Sequence, residues 1–453
     1  MERYFKTKKM IALTNKITEY KDYAKQLIEL SIPIILGNVG NMLIGVGDVI
    51  VAGRHSTVTL AAISIASAIF MTFLIAGIGF MASISPVVSN LRGQRIPSKN
   101  LFRVTTVYSL LIGFLFFILI RLIIPLVPYM NLADNLAYYV VEYLEISSWG
   151  TFAGLLFVAF KEFLQAYEIV VFPNLIVVGA IFLNVFLNIV LVFGYFGFPE
   201  LGVKGLAIAS LIVRWLMAII LFIYCMPFLK CKTAKYRSYI KDLIKTGWPI
   251  SLAMFFEFLG FNITAVLVGK FSAVYAACHN IIVTMTGTTY MIPLSISNAA
   301  AIKVGFANGE RNMQNIKRYA LTGYILIIGY MLLNMVMYGA FPTQLLKIFT
   351  KDPEVIQTCL PVFGIVLCFL LFDGLQCACV GALKGLKETK PIMWTMAFAY
   401  LIVSIPTGCF MAYKYNIVLN GFWAGLALGI IFACIISNTI LIRKINKISK
   451  EYN

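Results

Sequence analysis

The sequence predicts an all-α integral membrane protein, with twelve transmembrane helices in two pseudo-symmetric six-helix lobes. Three observations lead there. The 453 residues are 60% hydrophobic and only 12% charged, whereas a soluble domain averages about 25% charged residues. Apolar runs of spanning length recur along the whole chain. The second half also repeats motifs of the first at a nearly constant offset. Length alone would suggest about three soluble domains, but a mean hydropathy of +0.89 overrides that. Soluble enzymes, nucleic-acid binders and secreted disulfide scaffolds are excluded together.

A spanning helix needs about 20 mostly apolar residues. Such runs lie at 30–52, 60–82, 104–128, 140–160, 172–196, 203–229, 247–270, 280–302, 319–341, 357–382, 391–413 and 419–442. Helices satisfy their own backbone groups in lipid. A β-barrel would instead alternate apolar and polar residues in segments of about ten, and these runs are continuous. The division that follows is an N-terminal segment 1–29, a lobe 30–229, a basic linker 230–246, a second lobe 247–442 and a tail 443–453. The N-terminal segment mixes Lys, Glu, Asp and Thr and lacks the compact apolar stretch of a cleaved signal peptide. The first span is therefore expected to direct its own insertion. Nine cysteines are scattered without a C-x-x-C pair, and there are two histidines. The cysteines read as small buried apolar residues rather than metal ligands.

The net charge of +18 must sit in loops and tails, because a charge at bilayer depth costs at least ~2.5 kcal/mol. Of the 37 Lys and Arg residues, 29 fall in the N-terminal segment, the even-numbered loops and the tail. Seven fall on the other side: Arg54, Arg121, Lys204, Lys270, Lys347, Lys351 and Lys414. Arg214 lies inside a span. The positive-inside rule then places both termini and the even loops in the cytoplasm.

The repeat is read from matched positions. Pro33 and Pro249, Gly53 and Gly269, and Gly93 and Gly309 are each 216 residues apart. The stretch SPVVSNLRGQ parallels AIKVGFANGE, and VKGLAIAS parallels WAGLALGI, with Gly205 opposite Gly425. An even number of spans separates the matched points, so the repeats are parallel, related by an axis along the membrane normal. Repeats of this kind favour a transporter over a receptor or membrane enzyme.

Ionisable residues inside spans are functional candidates by default. Asp48 lies in NMLIGVGDVIVAG, in the outer part of the first span. Glu257 lies in AMFFEFLGFN and Asp373 in CFLLFDGLQC, both near mid-span and too short to reach an interface. Two carboxylates sharing a site repel unless a cation or proton lies between them, and sodium suits oxygen ligands as hard cations do. Asn184 and Asn188, four residues apart, share one face of the fifth span. They are placed to face Asp48, or else to hydrogen-bond between helices. Gln376 is one turn beyond Asp373 and could add an amide oxygen. Phe255, Phe256, Phe258 and Phe261 surround Glu257 as candidate cavity walls, since aromatic faces attract organic cations. Pro33, Pro249, Pro293 and Pro406 can bend or unwind their helices. His279 reads as a structural helix-end residue, His55 as a solvated loop residue, and Arg214 has no role that the sequence assigns.

The pattern Pro33…Asp48…Gly53…LAA, its repeat GWP–FFE–Gly269–AACH, Lys303-Val-Gly, and FDGLQCACVGALKGLKETKP resemble the multidrug and toxic compound extrusion (MATE) family, most of all its NorM-like bacterial branch. The resemblance spans residues 25 to 440. It implies the MATE/MOP-type transporter fold and an antiporter that exports cationic or amphipathic organic compounds against entering Na+ or H+. It further implies that Glu257 and Asp373 form the coupling-cation site, Na+ among the candidates, and that Asp48, Asn184 and Asn188 stand at family positions. No cofactor is expected beyond the coupling ion. Expected partners are small organic substrates and membrane lipids, with no nucleic acid, no ATP and a monomeric state. The expected location is a bacterial plasma membrane.

Two alternatives stay open. One is a lipid-linked precursor flippase of the same superfamily, for which an arginine-lined cavity would be the sign; three carboxylates against one arginine speak for cation handling. The other is a membrane enzyme, which would need a nucleophile–base pair, a metal set or a nucleotide loop such as G-x-x-x-x-G-K-[ST]. None is visible.

Reporters fused after Lys235 and after Lys450 should both report cytoplasm, and one near Asp134 the outside. Opposite labelling at any two of these sites would overturn the twelve-span assignment.

Overall fold

The computed structural model describes every residue except Met1, Asn100, Asn131, 133–135, 231–235 and Asn453, with the backbone course alone for 2–18, 230, 236 and 452. Asp134 and the linker residues Cys231, Lys232 and Lys235 thus lie outside the described residues. The chain forms two compact units. One is Pro33–Leu259; the other combines Met1–Ile32 with Gly260–Asn453.

The helices run in order as α1 (Glu2–His55), α2 (Thr57–Met81), α3 (Ile84–Gly93), α4 (Leu101–Ile123), α5 (Leu136–Ala166), α6 (Val171–Phe193), α7 (Val203–Cys225) and α8 (Tyr236–Gly269). They continue as α9 (Ala273–Gly309), α10 (Met313–Ala340), α11 (Pro342–Phe349), α12 (Pro353–Cys359), α13 (Phe363–Gly385), α14 (Lys390–Ala397), α15 (Ile405–Tyr415) and α16 (Val418–Tyr452). Among the described residues there is no strand. Pro33, Pro249 and Pro293 sit inside helices that continue through them. Pro406 acts more strongly. It removes a backbone donor, and the turn ahead of it, Phe398–Ser404, widens to a π-helix in which Ser404 Oγ bonds the Ala399 carbonyl at 2.9 Å.

Among the described residues, eleven helical stretches are long and apolar enough to cross a membrane. The twelfth expected span, 280–302, lies within α9, which is 37 residues long but too polar to count with the others. Thr284, Thr286, Thr289 and Ser295 dilute its apolarity. Each returns its hydroxyl to a carbonyl four residues back, at 2.7–3.0 Å, so the polar groups are met within the helix. The structure also carries helix into the expected linker, since α8 starts at Tyr236.

The repeat is visible in backbone detail. Ser56 and Ser272 cap α2 and α9, each with extended backbone and a side chain accepting an N–H at 3.0 and 3.1 Å. At the ends of α3 and α9, Arg95 and Arg311 both take the left-handed conformation, at φ 59° and 56°. The bonds around them match, Arg95 N to Arg92 O at 2.9 Å and Arg311 N to Asn308 O at 3.2 Å. Glu168 after α5 and Lys387 after α13 repeat the device at φ 64° and 59°.

Each unit is built around one central helix. In Pro33–Leu259 it is α5, packed by α2, α4 and α7; Phe102 meets Phe160 at 5.0 Å and Phe163 at 5.3 Å. In the other unit it is α13, packed by α9, α10 and α16. The first halves of α1 and α8 explain the unit boundaries. Ser251 on α8 donates to the Ala76 carbonyl on α2 at 2.7 Å. At the start of α1, Tyr23 donates to Asn315 at 2.7 Å, Gln26 accepts from Tyr319 at 2.7 Å, and Glu19 pairs with Arg318.

Lipid is as apolar as leucine, so helices associate through close packing over small residues. Gly205 on α7 and Gly425 on α16 show this at equivalent places. A Cβ would lie 2.7 Å from the Leu191 carbonyl oxygen at the first and 2.5 Å from that of Ser404 at the second. Gly205→Ala and Gly425→Ala should each cost about 1–3 kcal/mol through overpacking. Gly179→Ala, which meets nothing within 4 Å, should be tolerated. Unfolding midpoints in detergent would check this, and equal behaviour of all three variants would contradict it.

Candidate functional site

The polar groups of the Pro33–Leu259 unit converge from three helices. α1 supplies Asp48, α6 supplies Asn184 and Asn188, and α7 supplies Ser210. The approach of α1 to α6 is close because small residues line it: a Cβ on Gly40 would come 2.9 Å from Val177 and one on Gly47 3.1 Å from Val185. Asn188 Nδ2 donates to Asp48 Oδ1 at 2.6 Å and lies 3.0 Å from Asn184 Oδ1. Ser210 Oγ donates to Asp48 Oδ2 at 3.2 Å, and Asn184 Nδ2 donates to Ser210 Oγ at 3.4 Å. Asn184 and Asn188 are 0% exposed, so these bonds replace water entirely. Asp48 itself is half-buried.

The carboxylate therefore has a donor on each oxygen. One acceptor is left over: Asn188 Oδ1 is buried and has no partner. Such an atom carries a desolvation cost of about 1–3 kcal/mol that a bound donor or cation would remove. Ser210 is a site residue that the sequence reading missed. A single serine in an apolar helix gives no signal by itself, although it stands one turn before Arg214.

In the other unit Asp373 and Gln376 are buried on α13, at 5% and 3% exposure. Gln376 Nε2 lies 3.9 Å from the Met396 sulfur. Ser297 on α9 donates to the Cys377 carbonyl at 2.7 Å, fixing α13 against α9 beside Asp373. The aromatic residues near Glu257 divide between the units. Phe255 and Phe256 pack edge-on at 6.1 Å and, with Phe258 and the half-buried Glu257, belong to Pro33–Leu259. Phe261 belongs with Gly260–Asn453 and contacts Phe369 at 6.0 Å and Tyr400 at 5.9 Å. The structure thus assigns Glu257 and Asp373 to different compact units.

Of the two histidines, His55 differs from its sequence reading and His279 keeps the structural one. His55 is not simply solvated. It lies 2.8 Å from Thr59 Oγ1 and 2.8 Å from Glu200 Oε1. His279 is buried against Trp423, with ring centres 5.7 Å apart.

The MatE family model matches this chain twice, over residues 33–190 and 249–410. The chain is 26% identical to a probable multidrug resistance protein NorM of Xylella fastidiosa, over 94% of this chain and 93% of the relative. It is 28% identical to one of Rhizobium meliloti, over 97% and 98%. The multidrug resistance protein NorM of Photobacterium profundum is 28% identical over 92% and 94%. Among solved structures, a multidrug resistance MATE family transporter of the MOP superfamily in an outward-facing conformation superposes with a TM-score of 0.86 and 18% identity, over 94% of this chain and 96% of that one. A eukaryotic MATE transporter gives 0.84 at 18% identity, over 96% and 100%. The expected fold class is therefore the observed one.

Asn188→Leu removes the 2.6 Å donor and should cost about 1–3 kcal/mol. Because Asp48 and Asn188 touch, Asp48→Leu combined with Asn188→Leu should cost less than the two single changes together. Chemical unfolding in detergent measures both; strictly additive losses would contradict the pairing.

Proposed function

The chain belongs to the MatE family, a family of membrane transporters rather than enzymes, and we propose that it is a secondary antiporter that exports cationic or amphipathic organic compounds in exchange for Na+ or H+. The observation that carries this reading is the Asp48 cluster. It is an acidic group held by buried amides and a hydroxyl among the mostly apolar helices of Pro33–Leu259. Intramembrane carboxylates of this kind mark ion and substrate pathways. The names of the NorM relatives support organic cargo of the drug type.

In this reading Glu257 and Asp373 carry the coupling cation, with Gln376 adding an oxygen near Asp373. Asp48, backed by Asn184 and Asn188, senses protonation or contacts cargo, and Phe255, Phe256, Phe258 and Phe261 offer aromatic surface to it. A ligand shifts a conformational equilibrium only by its differential affinity for the two states. Ion and cargo must therefore favour different states, outward for the ion and inward for the cargo. The transporter works as a monomer in a bacterial plasma membrane with both termini in the cytoplasm, and without ATP, nucleic acid or a resident cofactor.

Proteoliposomes with sodium and proton gradients imposed separately test the reading. One of the two gradients should drive uptake or efflux of an organic cation such as ethidium. Glu257→Gln and Asp373→Asn should each abolish it with normal folding and expression. Asp48→Asn should weaken transport while leaving the ion response of a fluorophore near Phe256 largely intact. Wild-type transport in both Glu257→Gln and Asp373→Asn would remove the coupling role from these residues. An ion response lost in Asp48→Asn as fully as in Asp373→Asn would make the three carboxylates one coupled site.

A further inference from the structure

Arg214 takes no part in the reading above, yet its seat is built. It stands on α7 one turn beyond Ser210, whose hydroxyl reaches Asp48 at 3.2 Å. The guanidinium carbon lies 4.7 Å from the centre of the Phe70 ring on α2. On α5, Gly150 and Gly154 leave two successive turns bare beneath it. A Cβ at Gly150 would come 3.2 Å from an Arg214 terminal nitrogen, and one at Gly154 4.0 Å from Arg214 Cδ. Two bare turns and an aromatic face make a slot for the stem and its charge. A guanidinium in that slot interacts electrostatically with Asp48 and with the buried Tyr143.

We propose that Arg214 is a tethered counter-cation for Asp48: it makes this polar site electrically complete without a bound inorganic cation, and it sets the site's selectivity among organic cations. The groups around Asp48 include the Asn188 amide and the Ser210 hydroxyl, which donate to it, together with Asn184, Tyr143 and the Arg214 guanidinium. A small hard cation needs several converging oxygens, and here it would meet Arg214 as a like charge. An organic cation meets Arg214 as a like charge. It gains Asp48 only when its apolar bulk or its own donors compensate for that repulsion. Arg214 therefore acts as an internal competitor, a positioning and selectivity residue that works through Asp48.

This inference rests on the proposed handling of organic cations, and its test has an arm that does not. The full chain in detergent is titrated with tetraphenylphosphonium by equilibrium dialysis. Thermal unfolding is followed in parallel for Arg214→Gln, Arg214→Lys, Asp48→Asn and the double variant Asp48→Asn/Arg214→Gln. Removing the like charge should tighten probe binding about tenfold in Arg214→Gln. Arg214→Lys should stay near wild type, and the gain should vanish in the double variant. Unchanged or weaker binding in Arg214→Gln, or a gain that survives Asp48→Asn, would overturn the proposal. In the stability arm each charge-removing single variant should lower the unfolding midpoint, with recovery in the double variant. Additive losses would overturn it even if Arg214→Gln alone folds poorly. Absence of probe binding in the wild type would count against organic-cation handling and leave the stability arm to decide the counter-cation role.

Discussion

The bond from the Asn188 amide to Asp48, at 2.6 Å, is the contact on which the rest of the site depends. Asn184 and Asn188 are wholly buried, so no water reaches them to replace a missing partner, and each unmet polar group there costs several kcal/mol. That cost explains the arrangement around it. Asn184 lies one turn from Asn188 to accept its amide, Ser210 takes the second carboxylate oxygen, and the small residues Gly40 and Gly47 let α1 come near enough to α6 for the bond to form. Without the donor, one oxygen of Asp48 would lose its partner while Ser210 kept the other.

The two repeats share scaffold and differ in chemistry. Their helix caps agree down to matched left-handed arginines and capping serines. The polar site does not repeat. The position opposite Asp48 is Thr264, whose hydroxyl bonds the Gly260 carbonyl of its own helix at 2.8 Å and so needs no partner elsewhere. Carrying the Gly205-to-Gly425 register along α7 sets Ile430 and Cys434 opposite Ser210 and Arg214. Caps are local and cheap to keep, since each is fixed by a few residues. A buried carboxylate requires donors from other helices, so once one partner is lost the whole cluster loses its reason.

Much of this was legible in the sequence. The apolar runs, the parallel repeat and the shared face of Asn184 and Asn188 follow from composition and from helical spacing, which act within one helix. What escaped depends on packing between helices. Ser210 is one hydroxyl in an apolar run, and Gly150 and Gly154 look like ordinary small residues until an arginine is found against them. The division of α8 between compact units at Leu259 and Gly260 is set by contacts such as Ser251 to Ala76, which hydropathy does not encode. The polarity of α9, where the span 280–302 is expected, is answered within one helix. Its threonines look expensive in a span, but each closes a bond to its own backbone.

A carboxylate already satisfied by donors constrains any transport cycle that uses it. A cation reaching Asp48 meets carboxylate oxygens that each already accept one hydrogen bond and keep a further lone pair. Where it takes the place of a donor, the displaced Asn188 amide or Ser210 hydroxyl has to be met again. Asn188 Oδ1, buried and unpartnered, shows where the first rearrangement has room. If the Asn188 side chain turns to offer that oxygen to an incoming cation, its Nδ2 leaves both Asp48 and Asn184 Oδ1. Arrival of charge and movement of α6 relative to α1 would then be one event. A cation that displaces the Asn188 donor therefore moves the side chains that hold α6 against α1.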